Sequence, residues 1–246
     1  MRSALFNLLF YGWTGFVAVA SLPLLLAPSR KPLSWVVHYW ARGGVWLMRW
    51  VAGIRLESRG REHLPVERPC LIAAKHQSWS DGIIMASIMP DIASVAMKEL
   101  LSIPLVGAIL TKMRMIMVDT CGGGGARRVL NEGAQRAADD LRPILIYPEG
   151  RLTPIGERSA YKSGIHMIYE ELALPVTPVA TNIGLRWPCR SFRKRAGPAV
   201  VAFLPPIAAG LQRQPFMTVL QERIERARAR LLARTPDHKP ADPACL

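Results

Sequence analysis

The chain of 246 residues has only four cysteines, and they stand far apart. Cys70, Cys121, Cys189 and Cys245 form no Cys-x-x-Cys pair, which excludes a disulfide framework and a zinc knuckle and favours a reducing compartment. The five histidines are too dispersed to predict a metal cluster. We therefore predict no metal site, and a chain of this length can bury a sizeable core without one.

Acidic residues are also scarce. The 18 Asp and Glu stand against 32 Lys and Arg, so the formal net charge is +14. Such a charge favours a nucleic acid, an anionic bilayer or a phosphorylated substrate as partner. No recognised nucleic-acid-binding motif accompanies it, which argues against the first. The sequence also lacks a Gly-x-Ser-x-Gly elbow, a Walker loop and a Gly-x-Gly-x-x-Gly fingerprint, which disfavours serine hydrolases, P-loop NTPases and dinucleotide-binding enzymes.

Residues 3–29 contain no charged side chain. A helix over residues 4–22 would be about 28 Å long, close to the hydrocarbon thickness of a bilayer. We interpret it as a retained membrane segment, although a cleaved signal peptide or a buried core helix would give the same pattern. The next apolar stretch, 33–51, is rich in Trp and Tyr and contains Arg42 and Arg49. It predicts an interfacial helix, with an aromatic core helix as the alternative.

Beyond Gly53, short apolar runs alternate with helical patterns, which predicts an α/β fold with a mixed, largely parallel sheet flanked by helices. The predicted strands are 54–58, 70–74, 93–97, 115–118, 144–147, 176–180 and 199–204. The predicted helices are 82–89, 126–141, 164–170 and 216–233. We divide the chain into a membrane-associated helical segment (1–52), an α/β domain (53–234) and a loose tail (235–246).

His76 and Asp81 follow the second predicted strand and stand five positions apart. If His76 lies in the turn and Asp81 in the first turn of the next helix, the carboxylate can fold back onto one imidazole nitrogen. The other nitrogen could then accept a proton, and histidine, with an ordinary pKa of about 6.5, suits a general base near neutral pH. The alternative is structural, with Asp81 as a helix cap and His76 bonded to a backbone carbonyl.

Two further predicted strands end in polar residues, and ligands of open α/β sheets gather at such ends. Lys98 stands where a strand gives way to a turn, a suitable place to contact a phosphate, although a solvated lysine is the simpler interpretation. Pro148 and Gly150 predict a tight turn that holds Glu149. Gly150 would let the backbone approach a ligand, and Arg151 supplies a planar, permanent charge suited to phosphate.

In combination these blocks resemble the lysophospholipid acyltransferase family, in particular the bacterial 1-acyl-glycerol-3-phosphate acyltransferases. The family pattern is an N/K-H-x4-D block, a K-x-L…P-x-x-G block with an I-x-V-D strand, a P-E-G-T-R block and a V-x-P-V strand. The chain has KHQSWSD, KELLSIPLVG with MIMVD, YPEGRL and VTPVATN in the same order. The resemblance extends over roughly residues 35–210.

The resemblance implies a glycerolipid acyltransferase-like fold and the transfer of a fatty acyl group from acyl-CoA or acyl-ACP to the free hydroxyl of a lysophospholipid. The favoured acceptor is 1-acyl-sn-glycerol-3-phosphate, which would give phosphatidic acid. His76 is implied as the general base, with Asp81 fixing its tautomer. Lys98 and Arg151 would hold the phosphate, and Glu149 with Gly150 would shape the acceptor site. No cofactor is implied besides the acyl-CoA or acyl-ACP co-substrate.

The resemblance also implies partners and a location. Membrane lipid and the two substrates are expected partners, acyl carrier protein is a further candidate, and nucleic acid is not expected. We expect the inner membrane, with the active site facing the cytoplasm. A group of basic residues would attract anionic headgroups or an acidic acyl donor, unless it only keeps a loop solvated. Its members are Arg186, Arg190, Arg193, Lys194 and Arg195.

The chain departs from the family pattern at two positions, both associated with the acceptor phosphate. Thr120 stands where the family has an arginine, with Arg127 and Arg128 nearby, and the arginine of the third block stands one place early, at Arg151. A different acceptor, glycerol-3-phosphate or a lyso-aminolipid, is therefore the alternative within the enzyme class. Outside it, the alternatives are a nucleic-acid-binding protein and a membrane scaffold without catalysis.

Overall fold

A seven-stranded sheet forms the centre of the structure, a computed structural model that describes residues 1–64, 69–119 and 123–235. All the predicted strands are present, with ends that lie within two residues of the predicted ones. They are β1 (Ile54–Arg59), β2 (Leu71–Ala74), β3 (Ala93–Met97), β4 (Ile116–Val118), β5 (Ile144–Ile146), β6 (Val176–Thr181) and β7 (Gly197–Phe203).

The strand order across the sheet is β1-β7-β6-β2-β5-β3-β4. The five adjacent strands β6, β2, β5, β3 and β4 run parallel to one another. Strand β7 is antiparallel to β6, and β1 pairs in parallel with β7 at the edge of the sheet. The predicted mixed, largely parallel sheet is thereby confirmed. Because β2, β5 and β3 are parallel neighbours, their carboxyl ends meet at one edge of the sheet.

Helices cover both faces of the sheet. The helices are α1 (Arg2–Ala20), α2 (Leu22–Leu25), α3 (Lys31–Leu47), α4 (Ser80–Ile88), α5 (Val106–Lys112), α6 (Gly123–Asp139), α7 (Gly164–Leu172) and α8 (Arg213–Ala233). Of these, α4, α6, α7 and α8 correspond to the four helices predicted for the α/β domain. Sequence analysis missed α5, because one or two turns are too short to display a helical hydrophobic period.

The two faces are packed by different helices because successive strand residues point in opposite directions. Ile72 and Ala74 of β2 pack with buried residues of α1, α4 and the end of α3, whereas Leu71 and Ala73 pack with α6, α7 and α8. Phe6 and Phe10 of α1 belong to the first of these clusters, so the N-terminal helices share a core with the sheet.

The predicted division at residues 52 and 53 stays a prediction, and the structure adds how the two parts are joined. Arg30, between α2 and α3, lies 3.0 Å from the carboxylates of both Asp91 and Asp140 in the α/β part. Of the helices in the described residues, α1 alone is long and apolar enough to cross a membrane, by length and composition.

The predicted C-terminal boundary after residue 234 also stays a prediction, and the structure adds one contact beside it. Thr235, assigned to the loose tail, is buried and accepts a hydrogen bond from Asn182 Nδ2 at 3.0 Å. It therefore belongs with the folded domain. The rest of the predicted tail, 236–246, lies outside the described residues.

Candidate active site

His76 and Asp81 lie together between the end of β2 and the first turn of α4. His76 Nδ1 is 3.0 Å from Asp81 Oδ2, and the same oxygen accepts the backbone N–H groups of Gln77 and Ser78 at 2.7 and 2.8 Å. A carboxylate can only accept hydrogen bonds, so the ring proton of a neutral His76 is on Nδ1, and Nε2 is the nitrogen that can accept a proton. The structure thus brings the predicted pair together in a geometry that allows proton abstraction.

The ring of Tyr147 stacks on the imidazole of His76. The ring centroids are 4.1 Å apart, with an interplanar angle of 20°. Burial, and secondarily the Asp81 carboxylate, raises the pKa of Tyr147 well above its ordinary value, so this phenol is neutral at working pH. Sequence analysis treated Tyr147 as a strand residue and missed this contact.

The Pro148–Gly150 turn packs directly against the same loop. Glu149 Oε1 accepts the backbone N–H of His76 at 3.0 Å, and the backbone N–H of Thr153 donates to the carbonyl of His76 at 2.8 Å. Glu149 is 1% exposed, so it supports His76 from the interior of the protein. The sequence predicts this residue to shape the acceptor site, and its observed contact is with the backbone of the candidate base.

Sequence analysis gave no role to Lys75, which precedes the histidine. Its side chain is completely buried, and Nζ lies 3.2 Å from Glu149 Oε2 and 2.7 Å from Glu225 Oε1 of α8. The first contact is an ion pair and the second is also a hydrogen bond. The one available signal was a lysine directly after an apolar strand, where burial requires an acidic partner.

A cavity of about 380 Å³ opens next to Tyr147. Its polar lining includes Asp119, Arg127, Lys162 and Ser163, together with the backbone of Gly150. Gly150 has φ +62°, and a β-carbon there would lie 2.8 Å from Cε of Lys162. Glycine at this position therefore allows both the turn and the passage of the lysine side chain.

The two cations that the sequence predicts as phosphate ligands, Lys98 and Arg151, are not among the residues that line this cavity. Lys98 forms an ion pair with Asp119, which itself lines the cavity. Arg151 is exposed, and its Nε donates to Ser159 Oγ at 3.4 Å. Thr120, the first departure from the family pattern, lies outside the described residues.

A second cavity, of about 280 Å³, is lined mainly by apolar residues, and Trp79 and Gly82 at the start of α4 are among them. It extends between α3, α4, β3 and α5. Its lining includes Val37, Trp40, Ile83, Ala96, Leu100 and Leu110. A space of this volume with a mainly apolar lining suits a hydrocarbon chain.

Comparison with known proteins is consistent with this geometry. The sequence model of the Acyltransferase family matches residues 55–182, which include the pair, the turn and β6. The 1-acyl-sn-glycerol-3-phosphate acyltransferase of Pseudomonas aeruginosa is 31% identical over 92% of this chain and 88% of its own length. The human 1-acyl-sn-glycerol-3-phosphate acyltransferase alpha is 26% identical over 82% of this chain and 71% of its own length.

A solved structure shares the fold. The 1-acyl-sn-glycerophosphate acyltransferase PlsC of Thermotoga maritima superposes with a TM-score of 0.76 and covers 95% of this chain and 99% of its own. The two sequences are 21% identical, so this likeness concerns the arrangement of helices and strands.

Proposed function

The chain belongs to the Acyltransferase family, and from this premise we propose that it transfers a fatty acyl group from an acyl thioester to the free hydroxyl of 1-acyl-sn-glycerol-3-phosphate. The main structural support is the His76–Asp81 pair, whose free nitrogen can serve as a base next to a cavity with cationic side chains. The Pseudomonas relative with this activity in its name matches 92% of this chain, which supports the choice of acceptor.

In the proposed reaction, Nε2 of His76 removes the proton from the acceptor hydroxyl while Asp81 holds Nδ1 and stabilises the imidazolium that forms. The acceptor oxygen attacks the thioester carbonyl carbon, and the tetrahedral intermediate collapses with cleavage of the carbon–sulfur bond. The thiolate leaves and recovers the proton from the imidazolium. A thioester is already activated, so the reaction requires no protein nucleophile.

We propose that the acceptor phosphate lies in the cavity of about 380 Å³. Lys162 and Arg127 line it, and the start of α7, at Ser163 and Gly164, adds backbone N–H groups and the positive end of a helix dipole. Lys98 and Arg151 remain candidates for further phosphate contacts. Gly150 would let the acceptor approach the backbone closely.

Replacement of Lys162 by alanine is expected to raise the acceptor KM by about 10- to 100-fold, because a hydrogen bond to a charged group contributes about 1.5–3 kcal/mol. The turnover number at saturation should change much less. Steady-state kinetics with varied acceptor measures both. Arg151→Ala is the matched comparison: a larger KM effect there than at Lys162 would move the phosphate toward Arg151 and contradict this assignment.

The apolar cavity beside Trp79 is the proposed place for an acyl chain. Gly82, which follows Asp81 directly in the chain, lines this cavity, and we propose that the carbonyl end of the acyl chain lies on that side, toward the catalytic pair. The donor is acyl-CoA or acyl-ACP.

The acceptor is the part of the proposal that an experiment decides directly. Purified protein with a labelled acyl thioester should acylate 1-acyl-sn-glycerol-3-phosphate in preference to glycerol-3-phosphate and lyso-aminolipids, and the labelled product should be phosphatidic acid. Preferential acylation of either other acceptor class would replace the proposed substrate but keep the reaction. Absence of transfer to all of them would contradict the proposal as a whole.

We further propose that α1 lies in one leaflet of the inner membrane at its cytoplasmic face instead of crossing the bilayer. Phe6 is fully buried and meets Trp187 edge to face at 5.2 Å, and the Ser3 hydroxyl bonds the backbone of Lys194. These contacts hold the first turns of α1 against the α/β domain. Exposed apolar and aromatic residues remain for lipid contact: Leu5, Leu8, Tyr11, Phe16, Trp35, Tyr39, Trp46 and Trp50.

The loop beside α1 is expected to add an attraction to anionic lipid. Replacement of its exposed Arg190, Arg193 and Arg195 by glutamine should weaken binding to vesicles rich in phosphatidylglycerol by about 100-fold, at about 1 kcal/mol per adsorbed cation. Binding to neutral phosphatidylcholine vesicles should not change. Vesicle co-sedimentation measures both, and an equal loss after neutralising Arg226 and Arg230 on α8 would show a non-specific charge effect.

A further inference from the structure

Four charged side chains form a buried group behind His76. Lys75 Nζ lies between Glu149 Oε2 at 3.2 Å and Glu225 Oε1 at 2.7 Å, and Arg228 Nε lies 3.0 Å from Glu225 Oε2. The side chains of Lys75 and Glu149 are fully buried, and those of Glu225 and Arg228 are 15% and 8% exposed.

The group is balanced in charge when all its members are ionised, with two cations and two anions. Removal of water from an ion costs several kcal/mol, which only close opposite charges can offset. Lys75 is the central member because it contacts both carboxylates. A change at Glu225 therefore removes one of the two carboxylate contacts of Lys75 and the carboxylate contact of Arg228.

This group holds the candidate base at two points. Lys75 precedes His76 directly in the chain, and Glu149 accepts the backbone N–H of His76 at 3.0 Å. A shift of the lysine or of the Glu149 carboxylate would displace the imidazole itself. Catalysis is sensitive to such shifts, since misplacement by about 1 Å can cost about 100-fold in rate.

Glu225 comes from an unexpected part of the chain. It lies 150 positions after Lys75, in the second half of α8 and beyond the residues 55–182 that the family model matches. The C-terminal helix thus contributes one of the two carboxylates that fix Lys75.

We propose that Lys75 and Glu225 of α8 are positioning residues, which hold the imidazole of His76 in its catalytic position and do not contact the substrates. The inference rests on the proposed function, in which His76 is the base. The competing interpretation is that the buried ions only stabilise the fold.

The test compares two carboxylates of the same helix. Glu225→Gln is expected to lower kcat by about 10- to 100-fold with less than about 3-fold change in either KM, because the substrates still bind while the base is misplaced. Glu222→Gln is the matched control, since Glu222 is 55% exposed and pairs with Arg226 at the surface. It should leave kcat unchanged.

A charge-balanced double variant distinguishes loss of positioning from loss of folding. Glu225→Leu/Arg228→Met removes an anion and the cation that pairs with it and leaves Lys75 paired with Glu149, so it should fold, yet it should still lose kcat. Wild-type kcat in either Glu225→Gln or the folded double variant, whatever its melting temperature, would overturn the inference. A raised KM with unchanged kcat would also overturn it. An inactive His76→Ala beside a normal Glu225→Gln rejects the positioning role alone, whereas an active His76→Ala rejects His76 as the base, the part of the proposed function on which the inference rests.

Discussion

Replacement of His76 by alanine is expected to lower the turnover number by about 10²–10⁴-fold, the range typical of a lost general base. The variant has neither the free imidazole nitrogen nor the ring that stacks on Tyr147. Folding should survive, since His76 is 23% exposed at the side chain and its backbone bonds do not depend on the ring. Initial rates of acyl transfer, with circular dichroism to check the fold, measure the effect.

A second histidine supplies the control for this variant. His63 ends a short 3-10 helix, and its carbonyl accepts a bond from Thr177, so a His63→Ala variant keeps that contact. It should retain the parent rate. Near-normal transfer by His76→Ala would exclude His76 as the base, and an equal loss in both variants would indicate a general effect of the substitution.

Replacement of Asp81 by asparagine is the other change with a large expected effect. We expect turnover to fall by about 10³–10⁴-fold, the scale seen when the corresponding carboxylate is neutralised in Ser-His-Asp triads. An amide can still accept one hydrogen bond, but it no longer stabilises the imidazolium and can hold the wrong tautomer. Asp139→Asn, an exposed carboxylate on α6, is the control and should have no effect.

The alanine variant at the same position separates catalysis from folding. Asp81→Ala leaves the N–H groups of Gln77 and Ser78 without their acceptor, which should lower the free energy of unfolding by about 1–2 kcal/mol. Asp81→Asn should lose activity with a smaller loss of stability. If activity followed thermal stability across both variants, Asp81 would have a structural role alone.

The two residues should also act as one unit. Because Asp81 acts through His76, the double variant His76→Ala/Asp81→Asn is expected to be hardly slower than His76→Ala alone. If the fold-reduction in turnover of the double variant equalled the product of the two single reductions, the carboxylate would contribute to the rate independently of the imidazole.

Local patterns in the sequence were sufficient for the elements and for the candidate catalytic pair. Short apolar runs identified β2, β5 and β6, since a strand buried on both faces is apolar at nearly all positions. The spacing of His76 and Asp81 allowed their contact because only one turn separates them, so the chain itself limits where the carboxylate can reach. The family resemblance rested on similar local blocks.

The contacts between distant segments depended on the tertiary structure. One of the two carboxylate partners of Lys75 is 150 positions away, and the stack of Tyr147 on His76 joins the ends of two strands that are neighbours in the sheet but not in the chain. Sequence patterns record whether a residue is buried, but they do not record which residue it meets there. Many strand pairings satisfy the same hydrophobic pattern, and the packing of helices and strands selects one of them. The strand order therefore depends on the tertiary structure. So do the contact of Glu149 with the backbone of His76 and the passage of the Lys162 side chain across Gly150.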